Sequence, residues 1–221
     1  AQDVYLTGNP QITFFKVVYR RHTNFSKECI EQTFSGAVGA GKRVTATLAR
    51  NGDLVQEVYV KVDMSSTVSV NGLTADDISL ARDLTDVVKS AEVEIGGQKI
   101  DKQYSTWMDI YNTLFESNHD YRNAMCVGKK TTSAATAGSV VLSTVYIPLR
   151  FWFNRNPGLA LPLIALQYHE VKVNIELGSL PTPVDSELTH SLDEATLLVN
   201  YLYLDTDERR RFAQVSHEYL I

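Results

Sequence analysis

From Glu170 to Leu177 the chain alternates strictly between polar and apolar residues. Val171, Val173, Ile175 and Leu177 fall on one side, and Glu170, Lys172, Asn174 and Glu176 on the other. Successive side chains of an extended strand point to opposite faces, so this segment reads as a strand with one dry and one wet face. A strand of that kind belongs in an antiparallel sheet with one face on a core; parallel strands are dry on both sides. Residues 54–64 repeat the pattern, with Val58, Val60, Val62 and Met64 against Glu57, Tyr59, Lys61 and Asp63. The stretch 91–95 sets Ala91, Val93 and Ile95 against Glu92 and Glu94. Weaker strand candidates are 28–35, 44–50, 144–151 and 196–204.

Turn signals separate these runs at Gly39–Gly41, Asn51-Gly52-Asp53, Asn71-Gly72 and Gly96-Gly97. Asn and Gly tolerate the positive φ of tight hairpin turns, so 44–64, with Asn51-Gly52-Asp53 at its centre, is expected to be a hairpin. One segment is convincingly helical. Trp107, Ile110, Tyr111, Leu114 and Phe115 recur at i, i+3, i+4, i+7 and i+8, which predicts a helix over 104–117 with Trp107 on its core side. A shorter helix over 76–84, capped by Asp76 or Asp77, is a second candidate. Residues 129–143 are small, polar and aperiodic at their start and read as a surface loop. There is no internal repeat and no Pro- or Gly-rich linker. Many strands with one helix in a crossover make a two-sheet sandwich the expected architecture.

Composition narrows the function classes. The 221 residues carry 21 Lys+Arg and 26 Asp+Glu, a formal charge of −5, which disfavours a dedicated polyanion binder. Hydrophobic residues at 44% and charged residues at 21% exclude a disordered tail, a collagen-like rod and a disulfide-stapled miniprotein. No apolar run reaches the ~18–20 residues of a membrane helix, so no membrane insertion is expected. No signal peptide is visible, and the chain opens on Ala1 without an initiating Met, as if residues had been lost from its front. Cys29 and Cys126 lie far apart outside any CxxC pair and read as free thiols of a reducing compartment. Asn24-Phe25-Ser26 is a glycosylation tripeptide of a kind common by chance, and it carries no weight here.

No chemical motif survives inspection. The segment from Gly36 to Lys42 satisfies the GxxxxGK part of a phosphate-binding loop. The hydroxyl position is occupied by Arg43, however, and Val44–Leu48 alternates as a strand where a helix is needed. His169-Glu170 and His217-Glu218 do not continue to a second His, and His22, His119 and His190 lack ligands at metal spacing. No GxSxG elbow is present and no carboxylate pair is singled out. Catalytic, cofactor and metal residues are therefore expected to be absent, and the chain is read as no enzyme.

Two basic clusters remain, Arg20-Arg21-His22 and Arg209-Arg210-Arg211. Asp205, Asp207 and Glu208 precede the second, which favours protein–protein or interdomain contacts over direct nucleic-acid contact. Exposed aromatics such as Tyr59 would let a sandwich stack sugars, as a lectin-like, carbohydrate-binding sandwich does. Pro157 and Pro162 disfavour helix, so 154–162 is expected to be an ordered loop. Its Leu159, Ala160, Leu161 and Leu163 should pack beneath the sandwich or against a neighbouring subunit.

Several stretches resemble one family. AQDVYLTGNPQITFFKVVYRRHTNF (1–25) is similar to the N-terminal signature of the major capsid proteins of large icosahedral double-stranded DNA viruses, the chlorella-virus, iridovirus and mimivirus type. ARNGDL (49–54) resembles that family's first hairpin, and EIGGQKIDK (94–102) a later strand and turn. FWFNRNPGLALPLIALQYHEVKV (151–173) is the most specific block, and LDTDERRRFAQVSHEYLI (204–221) resembles the segment ending the family's first domain.

The resemblance implies an all-β, antiparallel, eight-stranded jelly-roll sandwich, the first half of a double jelly roll. It also implies a virion protein assembled in the host cytoplasm, whose homotrimers form pseudo-hexagonal capsomers that meet neighbouring capsomers and minor capsid proteins. The alternative function is a carbohydrate-binding β-sandwich of a virion attachment or minor capsid protein. Residues 1–204 would be that first domain. Residues 205–221 are expected to be a connector toward a second jelly roll, because Asp205–Arg211 is too charged for a core while Phe212, Val215, Tyr219, Leu220 and Ile221 restore apolar side chains. Arg20, Arg21, Leu159, Leu161, Arg209, Arg210, Arg211, Phe212 and Tyr219 are accordingly the candidate assembly or interdomain contacts, the connector arginines meeting carboxylates of the following domain or of a neighbouring subunit.

Overall fold

The alternating segments form two facing antiparallel sheets in a computed structural model that describes residues 23–68, 87–115, 140–180 and 188–218. The chain runs through β1 (Phe25–Thr33), β2 (Arg43–Thr47), β3 (Leu54–Val68), β4 (Val88–Ile95), β5 (Gln98–Tyr104) and α1 (Ser105–Phe115). It continues through β6 (Val140–Pro148), α2 (Trp152–Arg155), a 3-10 turn (Pro157–Leu159), β7 (Leu161–Pro162), β8 (Val171–Leu177), β9 (Leu188–Leu204) and α3 (Thr206–Gln214). One sheet has the order β1-β9-β3-β6, with β7 added on β3, and the other β2-β8-β4-β5. Apart from the two-residue β7, successive strands change sheet at every step except β4 to β5. That is a jelly roll, and α1 lies in the crossover from β5 to β6 as expected.

The core is the meeting of the two dry faces. Val44, Ala46, Ala91, Val93, Val171, Val173, Ile175 and Leu177 line one sheet; Val58, Val60, Val62, Met64, Val145, Ile147, Leu197 and Val199 line the other, all of them buried. β-Branched side chains dominate because they suit a pleated, half-buried surface. β4 and β5 meet in a two-residue turn, with Ile95 opposite Gln98 and positive φ at Gly96 and Gly97. Only glycine takes both positions without strain, so that turn signal was decisive.

The hairpin expected over 44–64 is not formed. β2 pairs with β8 and β3 with β9, so the two strands lie in different sheets and residues 48–53 cross between them. Gly52 is needed for proximity instead of a positive φ: a Cβ there would sit 2.7 Å from the Cβ of Tyr201. Tyr201 is fully buried and donates its hydroxyl to the carbonyl of Ala49 at 2.7 Å, pinning the crossover onto β9. Burial is the main cause that pushes this phenol up to about 12.

The helix over 104–117 is present as α1, with its faces reversed. Met108 and Asn112 are buried, whereas Trp107, Ile110, Leu114 and Phe115 are exposed and Tyr111 half-buried. Trp107 is therefore not core. The 154–162 loop also gains structure, since α2, the 3-10 turn and β7 lie within or beside it. Asn154 accepts from the Phe151 N–H and donates to the carbonyl of Gln56, the bulged residue of β3. Phe151, Trp152 and Phe153 are thereby held in the core. The loop expected over 129–143 is contradicted at its end, where 140–143 open β6 and pair with β3; its 129–139 part, the candidate helix over 76–84 and the Asn71-Gly72 turn lie outside the described residues.

The outer face of the second sheet carries a charged ladder. Glu92, only 8% exposed, accepts from Lys99 at 2.6 Å and Arg43 at 3.0 Å. The Lys99 hydrogen bond, ahead of the Lys99 and Arg43 charges, holds the Glu92 carboxyl below the usual carboxylate range. A lowered carboxylate adds stability above its unfolded-state pKa, and that stability disappears as pH falls through the folded value. Glu92→Gln should destabilise the protein at neutral pH, with the loss shrinking in acid, as read from urea midpoints across a pH series. Gly52→Ala should cost about 1–3 kcal/mol, because the added methyl overpacks Tyr201; the urea midpoint at one pH checks it.

Candidate functional site

The surface where the chain leaves the sandwich is organised by one carboxylate. Asp53 ends the 48–53 crossover and is 8% exposed. Its N–H donates to the Leu202 carbonyl (3.0 Å) and its own carbonyl accepts from Ile164 (3.2 Å). Its carboxylate accepts from the Leu204 N–H (2.8 Å) and from Arg209 Nε (3.0 Å). Asp205 caps α3 by accepting from Thr206, and Asp207 and Glu208 in the first turn suit the helix dipole. The charged run after β9 is thus a helix, clamped by Arg209 to a carboxylate of its own sandwich.

The other candidates spread over this end. Leu161 is buried, pairing as β7 with Val55, and Ala160 and Leu163 are buried too; Leu159 is 39% exposed. Arg210 and Arg211 are exposed, while Phe212 is half-buried and stacks on His217 with centroids 5.6 Å apart. His217 also bonds the Phe212 carbonyl at 2.8 Å, so the chain folds back after α3. Arg20, Arg21 and Tyr219 lie outside the described residues.

A second surface is formed by the last residue of β5 and the outward face of α1. Tyr104, Trp107, Ile110, Leu114 and Phe115 are five of the nine exposed large hydrophobics of the described residues. Two arginines brace the helix. Arg150 donates twice to Asn112 Oδ1 (2.8 and 3.0 Å) and lies over the Tyr111 ring, while Arg155 lies over Trp107 at 5.7 Å. Gln103 of β5 donates to the Arg150 carbonyl at 2.6 Å. These cation–π and hydrogen-bond contacts fix an apolar, aromatic surface in place. Sequence reasoning missed Asp53, Arg150 and Arg155 as site residues, since the side chains and strands they hold lie 38 or more positions away along the chain and no local pattern marks them.

Other chemistry is dispersed. The glycine-rich 36–41 segment leads straight into β2, and the Gly41 N–H is bonded to the Gly178 carbonyl. Tyr59, expected as an exposed sugar platform, is half-buried in the middle of β3. Among the described residues no group of three or more His, Cys, Asp or Glu is placed to hold a metal. Cys29 is a free, exposed thiol.

Comparison with known proteins matches this arrangement. Residues 13–205 fit a family model described as the major capsid protein N-terminus. The chain belongs to the viral major capsid protein family. It is 54% identical over 224 residues to the major capsid protein of Pyramimonas orientalis virus, covering 100% of this chain and 55% of that one. It is 45% identical to the major capsid protein of Paramecium bursaria Chlorella virus 1, covering 100% of this chain and 49% of the relative. In structure it matches a PBCV-1 virus capsid chain with a TM-score of 0.70 and 39% identity, over 94% of this chain and 49% of that one. The chain thus spans about half the length of these relatives.

Asp53→Ala should cost about 1–3 kcal/mol, because it strips the Leu204 N–H of its acceptor, and α3 should come loose. Limited proteolysis should then cut within 205–214, whereas Arg209→Ala, which removes only a partly exposed ion pair, should cost under about 1 kcal/mol.

Proposed function

We propose that the chain is the first of two jelly-roll units of a structural virion protein, whose homotrimers are the pseudo-hexagonal capsomers of an icosahedral shell. The observation that carries this reading is 54% identity to a viral major capsid protein across the whole chain, on a jelly-roll sandwich. On this reading residues 1–204 are the unit itself and 205–221 the connector. The Asp53–Arg209 clamp sets the direction in which α3 departs. Arg210, Arg211 and Phe212 are offered to the unit that follows, as are Arg20, Arg21, Leu159 and Tyr219 to it or to neighbouring subunits.

The protein works by packing and not by catalysis, and its partners are its own copies, neighbouring capsomers and minor capsid proteins. The exposed stripe of α1 supports this role, because contiguous apolar surface on a folded domain marks an interaction site. Assembly in the host cytoplasm completes the reading. Native mass spectrometry of the protein taken from virions tests it. The expected result is a polypeptide about twice this length in trimers; stable trimers of a 24.7 kDa chain would overturn the two-unit reading.

A further inference from the structure

Asn51 and Gly52 lie at the bend of the 48–53 crossover, and packing there admits no side chain after the asparagine. A Cβ on Gly52 would sit 2.7 Å from the Cβ of Tyr201 and 3.2 Å from the Leu202 carbonyl oxygen. The same requirement leaves Asn51 unshielded. A side chain on the residue after an asparagine hinders attack of that residue's backbone nitrogen on the asparagine amide, and glycine offers no such hindrance. Asn51 is exposed and Gly52 only half-buried. Among the described residues the Gly52 N–H donates to no backbone carbonyl, whereas the Asp53 N–H beside it is bonded to Leu202. The electrophile and the nucleophile of an intramolecular reaction are thus neighbours at the surface.

We propose that Asn51 is a deamidation site of the folded protein. The Gly52 nitrogen, losing its proton to base, bonds to Asn51 Cγ, and the Cγ–Nδ2 bond breaks to release ammonia, which leaves a cyclic imide. Water then opens the ring on either side. Cleavage of the new bond to Cγ gives aspartate on an ordinary backbone. Cleavage of the original peptide bond gives isoaspartate, whose main chain runs through Cβ and Cγ and is longer by one atom. Water is the co-reactant, and either product adds a negative charge.

The longer backbone falls between two fixed points. Before the bend, the Ala49 carbonyl accepts from Tyr201 at 2.7 Å, and Arg50 donates to the carbonyls of Leu166 and His169. After it, Asp53 is held by Leu202, Leu204 and Arg209. An added main-chain atom must press Gly52 onto Tyr201 or lift Asp53 from its partners. Isoaspartate at position 51 therefore loosens the clamp on α3. This chemical ageing is independent of the shell reading.

The test incubates the full-length protein in warm, mildly alkaline buffer and locates isoaspartate by peptide mass spectrometry, which separates position 51 from the other Asn-Gly pair, Asn71-Gly72. Isoaspartate should accumulate at 51 within about tenfold of the rate in the urea-unfolded chain, as for a surface bend that opens at little cost. Slower accumulation than that overturns the proposal. Limited proteolysis reads the consequence. Aged protein should be cut within 205–214 faster than fresh protein, and an isoaspartate-repairing methyltransferase should reverse the gain. Fresh Asn51→Asp, which carries the charge on an ordinary backbone, should resist cleavage like the unaltered protein, and so should aged Asn51→Ser. Aged protein cut no faster despite isoaspartate at 51, fresh Asn51→Asp already cut, or Asn51→Ser loosened equally by ageing overturns the release of the clamp.

Discussion

Two sheets, each with one wet face, have to bury their dry faces against each other, and the rest of the molecule follows from that. Val173 and Ile175 on one sheet and Val60, Val62, Leu197 and Val199 on the other are without solvent contact. At roughly 25 cal/mol per Å² of apolar surface removed from water, such side chains supply most of what opposes the chain's entropy. The chain alternates sheets at nearly every step, so neither sheet is a local product. β1 pairs residues 25–33 with 196–204, and β2 pairs 43–47 with 172–176.

A sandwich of this kind is open at its sides and ends, and the polar chemistry is concentrated where it is closed. On the side where β5 and β6 form the sheet edges, Gln103, Asn112 and Arg150 tie strand, helix and loop together. At the end where β9 finishes, Asp53 satisfies backbone groups of the crossover and β9 and holds Arg209. A largely buried carboxylate needs partners, and here the Leu204 N–H supplies the inner one and the part-exposed Arg209 guanidinium the outer one. The same closures present what is left exposed: the aromatic stripe of α1, Tyr168 and the turned-back segment after α3. Closing the sandwich with hydrogen bonds gives a rigid unit with defined outer surfaces.

Local reasoning failed in an instructive way at two places. Asn51-Gly52-Asp53 has the composition of a hairpin turn, yet Gly52 serves the close approach of Tyr201 and Asp53 serves β9 and α3. A glycine needed for proximity and a glycine needed for a positive φ look alike in sequence; Gly96-Gly97 was the second kind and was legible. Similarly, the apolar spacing of α1 correctly identified a helix but not its inward side. Met108 and Asn112 face in because Arg150 and the sandwich edge meet that face, which periodicity does not report.

The sequence by itself determined the strands with one dry face, the β4–β5 turn, the presence of α1 and, through whole stretches of resemblance, the capsid family. These are local matters, decided by side-chain period, backbone freedom and inheritance. Only the tertiary structure decided which sheet each strand joins, that Asp53 is the partner of Arg209, that 205–214 is a clamped helix, and that Trp107 and Tyr168 face solvent. Those outcomes depend on what packs against a residue from far along the chain. Alternation says that a face is dry but never which other dry face will cover it.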